Sequence, residues 1–121
     1  MTTILFLLLI KHAIADLGLQ GYIKGSTKRD YFGKKLWLHS THHGIGTFLV
    51  LILFTDVTTA MLIALLDIFL HWQIDYCKTW LIHKLNYNNT MRQFWWVQAG
   101  DQAAHYSCYF LFVGLLGCVA I

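Results

Sequence analysis

Apolar residues gather in stretches separated by short polar segments. They run from about Thr2 to Gln20, Trp37 to Phe54, Thr58 to Leu81 and Gln98 to Ile121. Each is close to the ~20 residues that cross a bilayer as a helix. The pattern predicts an all-α polytopic membrane protein, a bundle of four transmembrane helices forming one domain over residues 1–121. The second and third stretches meet at Thr55-Asp56-Val57, so they form an antiparallel hairpin with Asp56 as a turn residue. Gly114 and Gly117 are expected to let helices approach closely. The first stretch invites reading as a signal peptide ending near Ala13-Ile14-Ala15. No Lys or Arg precedes it, however, and Lys11 and His12 interrupt the cleavage region, so a retained first helix is expected.

Charge orients the helices. Lys24, Lys28, Arg29, Lys34 and Lys35 lie between the first two stretches, and Lys84 and Arg92 between the last two. The hairpin turn and both extreme ends carry no Lys or Arg. The positive-inside rule places both basic loops in the cytoplasm, and both termini in the periplasm if the membrane is a bacterial inner membrane. Trp37, Trp80, Trp95 and Trp96 fall near the cytoplasmic ends, where an aromatic belt belongs.

Composition agrees. Charged residues make up 12% and hydrophobic ones 57%, against about 25% charged in soluble domains. All the acids are Asp. The net charge of +3 is too small to suggest nucleic-acid binding. Cys77, Cys108 and Cys118 form no CxxC pair and are expected to pack as small apolar residues.

The polar residues inside the apolar stretches are not scattered. His12, Asp16, Gln20 and Lys24 recur at four-residue spacing, which puts them on one helical face. Asp67, His71 and Asp75 do the same, with Lys78 following, and so do Asp101 and His105, with Gln102 adjacent. The second stretch opens with His39, His42 and His43. In the topology set by Lys and Arg, all four sets fall at one depth near the cytoplasmic side. Lys11 and Asp67 each lie nine residues from the outer end of their stretch, so they match in depth and are expected to pair.

An ionisable group in a bilayer costs at least about 2.5–3.5 kcal/mol near the centre, so a cluster must be offset by mutual pairing or a bound cation. Imidazole and carboxylate are ligands for zinc, and for manganese or iron. The expected metal ligands are drawn from His12, Asp16, His39, His71, Asp75 and His105. Asp101 is expected as general base or further ligand and Lys78 as a catalytic cation. Gln20, Lys24 and Gln102 are expected on the substrate side. His83 lies beyond this band. His39-Ser40-Thr41-His42-His43 matches the HxxHH box of membrane di-iron enzymes, but no HxxxH accompanies it. Bis-histidine haem binding does not account for the recurrent Asp.

At these residues the chain resembles a domain-of-unknown-function family of small bacterial and phage inner-membrane proteins. The likeness is carried by His12-Ala13-Ile14-Ala15-Asp16 with Gln20 and Lys24, by His39, by His71 to Asp75 with Lys78, and by Asp101-Gln102 with His105. It spans nearly the whole chain. That family is similar to membrane-bound metal-dependent hydrolases. The resemblance implies a metal-dependent hydrolase. The ligand types suggest a divalent transition metal, zinc first, and the location of the polar sets near the cytoplasmic leaflet suggests a phosphate-bearing lipid or other amphiphile as substrate. Two other classes fit the same residues. One is a transporter or proton pathway. The other is a non-catalytic membrane factor that binds host membrane proteins or a second copy of itself.

Overall fold

The computed structural model describes residues 1–19 and 31–119, and among them the chain is all-α with no strand. Helix α1 spans Thr2–Ala13 and continues as π-helix over Ile14–Leu19. Helix α2 spans Lys34–Leu51, α3 Val57–Lys84 and α4 Arg92–Val119. Three helices outrun their apolar stretches, beginning at Lys34 and Arg92 and ending at Lys84. Hydropathy marks the apolar part of a helix. Flanking Lys, Arg and Trp continue its hydrogen bonding with an apolar stem below and a polar tip above.

The hairpin turn is as tight as the sequence implies. Asp56 is the N-cap of α3. Its carboxylate accepts the Thr59 hydroxyl at 2.6 Å and the Thr59 backbone N–H at 3.0 Å. These bonds, the hydroxyl's first, hold the Asp56 carboxyl below its ordinary 3.8. Helix α2 then runs back along α3 as their most extensive contact, while α1 packs on α2 and α4, and α3 on α4. Gly44 makes the α2–α3 approach possible. A Cβ there would run into the Ile68 side chain and lie 3.0 Å from the Ala64 carbonyl oxygen. The expected role of Gly114 and Gly117 is corrected here. Among the described residues nothing lies within 4 Å of a Cβ on Gly114, and a Cβ on Gly117 would meet the end of Met1 at 3.6 Å, an ordinary contact.

The interior has two layers. Ile4, Leu8, Leu51, Ala60, Ile63, Cys108, Tyr109, Phe112 and Leu116 form an apolar cluster at the end holding the N-terminus and the α2–α3 turn. The other layer is polar. Among the described residues, eleven polar or charged side chains are buried against twelve apolar ones. Meanwhile Phe6, Leu49, Leu62, Phe69 and Phe110 are exposed. This reverses the sorting that water imposes on a soluble domain. Helices α3 and α4, each 28 residues, are long and apolar enough to cross a membrane.

Candidate metal centre

Four-residue spacing builds the polar layer from every helix. Helix α1 and its π-helical extension contribute His12 and Asp16, and α2 contributes His39, His43 and Thr47. Helix α3 contributes Asp67, His71 and Asp75, and α4 contributes Asp101, His105 and Tyr109. All are buried except Asp16, which is partly exposed. The π-helix begins between His12 and Asp16, yet the two still meet, Nε2 to Oδ2 at 3.0 Å.

The outer edge of the cluster is a charged network. Lys11 Nζ donates to Asp67 Oδ2 at 3.1 Å, to the Tyr109 hydroxyl at 3.1 Å and to the His43 carbonyl at 3.2 Å. The expected Lys11–Asp67 pair is therefore present, with the lysine stem lying over Gly46. The Thr47 hydroxyl donates to the same Asp67 oxygen. The other, Oδ1, lies 2.6 Å from His71 Nδ1. An ionised carboxylate can only accept, so Nδ1 carries the proton and His71 Nε2 is left with its lone pair. His12 Nδ1 lies 2.7 Å from the Tyr109 hydroxyl, while its Nε2 faces Asp16 Oδ2 at 3.0 Å and Gln102 Oε1 at 3.3 Å. A histidine held at one nitrogen by a carboxylate, with the other turned into the cluster, is the usual outer-shell arrangement of metal sites, and His71 has it.

At the centre, imidazole nitrogens and carboxylate oxygens face each other. Asp16 Oδ1 lies 2.9 Å from His43 Nε2 and 3.1 Å from His39 Nε2. Asp75 Oδ1 lies 3.1 Å from His105 Nε2, and its Oδ2 lies 3.3 Å from His39 Nε2. His105 Nε2 is also 3.3 Å from Asp101 Oδ1. Bonds of 2.0–2.2 Å to zinc place neighbouring ligand atoms about 3.0–3.5 Å apart, so these contacts have the spacing of a coordination polyhedron's edges. Ligand atoms of His12, His43 and His71 lie within 4.8 Å of one another, and the same holds for Asp16, His39 and His43 and for Asp75, Asp101 and His105. Closing any set to about 3.4 Å asks each side chain to move inward by about 1 Å. Asp101 Oδ1 is buried, and the polar group facing it is His105 Nε2 at 3.3 Å. The donor set fits a divalent metal.

All six expected ligands, His12, Asp16, His39, His71, Asp75 and His105, are thus brought together. Asp101 joins them, with Lys78 Nζ 3.2 Å from its Oδ2. Gln102 lies at the rim, with Oε1 3.3 Å from His12 Nε2 and its amide donating to Asp101 at 3.2 Å. Gln20 and Lys24 lie outside the described residues. His83 is exposed near the end of α3, away from the cluster. Thr47 and Tyr109 are participants that the sequence reading did not single out, and His43, noted there, was not among the expected ligands. His43 stands four residues after His39, Thr47 four after His43 and Tyr109 four after His105, so the same spacing rule points to each.

No curated protein and no solved structure matches the chain. Residues 4–119 match the model of a family described as "Protein of unknown function (DUF3307)", and the chain belongs to that family.

Proposed function

We propose that the protein is an integral membrane metal-dependent hydrolase whose four helices cross the bilayer and whose centre lies near the cytoplasmic leaflet. The observation that carries this is the convergence of five imidazoles and three carboxylates from all the helices, with His71 anchored from behind by Asp67. The exposed apolar surface around a polar interior supports immersion in lipid. The basic loops support a cytoplasmic position for the polar layer and a periplasmic one for both termini. The bacterial inner membrane is the membrane this topology suits.

A divalent metal held there supplies a water of lowered pKa and polarises a substrate oxygen. Asp101, at the edge of the cluster and beside Lys78, suits the role of general base or of a further ligand. Lys78, 17% exposed, can meet an anionic group arriving from outside. A phosphate-bearing lipid or similar amphiphile reaches that depth laterally. The test is hydrolysis of short-chain phospholipid and lipid-phosphate substrates by purified protein in detergent. Activity lost to chelator, restored by zinc, manganese or iron and absent from His71→Ala supports the reading. Activity indifferent to chelator, or none on any ester offered with metal bound, overturns it.

One observation favours a second reading. The chain Lys11–Tyr109–His12 continues the polar cluster towards the apolar layer and could pass protons. Proton conductance of metal-free protein in liposomes is its signature.

A further inference from the structure

The candidate centre has more donors than one ion takes. Two of its sets, His12–His43–His71 and Asp16–His39–His43, share His43, while Asp75, Asp101 and His105 share no residue with either. This third set adjoins both, since the His71 and His105 rings stack with centroids 4.2 Å apart and Asp75 Oδ2 lies 3.3 Å from His39 Nε2. Asp75 presents its two oxygens to two different imidazoles, at 3.1 and 3.3 Å, as a carboxylate between two cations would.

Charge decides how such sets fill. Among the described residues, Asp16, Asp75 and Asp101 bring three negative charges, and Lys78 returns one through Asp101. Asp67 is already matched by Lys11. With neutral imidazoles, two negative charges remain, and one divalent ion cancels them. A second ion alone would leave two positive charges in a buried site, which is strongly unfavourable. A dianion arriving with it restores balance. The approach for that anion lies beside the third set, where Lys78 and Asp101 sit in a groove of about 410 Å³ between α3 and α4 whose lining is otherwise mostly apolar, with Ile74, Leu81 and Val97. A Cβ on Gly100 would meet nothing within 4 Å.

We propose that Asp75, Asp101 and His105 form a second metal position that fills together with a phosphate dianion, making the centre binuclear only when a phosphate-bearing ligand is present. Lys78 then leaves Asp101 for the phosphate. Two ions about 3.5–4 Å apart hold a phosphoryl group between them, so the substrate class is a phosphate ester with a dianionic head. The inference rests on the metal-centre reading above but fails separately from it.

The test is zinc titration of metal-stripped full-length protein in detergent, counting bound zinc per chain with and without inorganic phosphate. Phosphatidic acid in the micelle forms a second arm. Bound zinc is expected to double, from one to two per chain, on adding either ligand. Doubling at a lower concentration of phosphatidic acid than of inorganic phosphate identifies a lipid head group as the source, and the reverse identifies free phosphate. Asp101→Asn and His105→Ala should each keep the first zinc and lose the increment, with folding checked by gel filtration. One zinc under all conditions overturns the proposal, as do two zincs without phosphate. Loss of both zincs from a folded Asp101→Asn protein also overturns it, because the sets would then be one site. Wild-type protein that takes up no zinc overturns the metal centre itself.

Discussion

Replacing Lys11 with methionine keeps the length and apolar stem of the side chain and removes its charge. In the folded protein the Nζ is bonded to Asp67, to the Tyr109 hydroxyl and to the His43 carbonyl, all at 3.1–3.2 Å. The lysine is 8% exposed and the aspartate 0%. An exposed ion pair contributes about 0–1 kcal/mol. Removing one partner of a buried pair costs about 3–5 kcal/mol, because the other charge stays behind uncompensated. Burial puts this pair in the second class. Lys11→Met should therefore lose about 3–5 kcal/mol, measured by reversible denaturation in detergent. Lys11→Met/Asp67→Asn should recover much of that loss, since the orphaned charge is gone. A Lys11→Met protein within about 1 kcal/mol of wild type would refute the reasoning, as the pair would then behave like one in water.

Tyr109→Phe frees His12 Nδ1 from its 2.7 Å contact. It should weaken metal binding about 10–100-fold while the fold persists, read by competition with a chelating dye; unchanged affinity would remove Tyr109 from the centre. Gly44→Ala places a methyl against Ile68 and the Ala64 carbonyl, so denaturation should show a loss of about 1–3 kcal/mol, and an unchanged protein would mean α2 and α3 do not touch there. Asp56 has a carboxyl depressed in the folded state, so its contribution is present above the ordinary 3.8 and is lost as pH falls through the lower folded value. Asp56→Asn should narrow the stability difference between neutral and strongly acidic pH, and an identical acid profile would show that the cap's charge is idle.

The helices and their order were legible because apolar runs near bilayer length leave few alternatives. Their ends were not, since Lys34, Lys84 and Arg92 are helical without being apolar. The candidate centre was legible to the extent that i,i+4 spacing fixes a face. His12, Asp16, His71, Asp75, Asp101 and His105 follow from it directly. Choosing between His42 and His43 required knowing which face of α2 turns inward, and the spacing from His39 and to Thr47 selects His43, which is buried where His42 is partly exposed. The depth argument that paired Lys11 with Asp67 worked because helical rise is fixed at about 1.5 Å per residue. The Gly114 and Gly117 expectation failed because a small residue permits close approach only where a neighbour occupies the space. Nothing in a single helix says where that neighbour is.

The central claim is that the buried His/Asp cluster holds metal. Its most direct measurement is the metal content of protein purified in detergent without added metal, by inductively coupled plasma mass spectrometry, alongside His12→Ala and His71→Ala. The account requires zinc, manganese or iron at one or more atoms per chain in the wild type and a sharp fall in each variant, with the variants still eluting as folded protein. Wild-type protein that contains none of these metals, takes up none when they are supplied, and melts at the same temperature with and without chelator would contradict it.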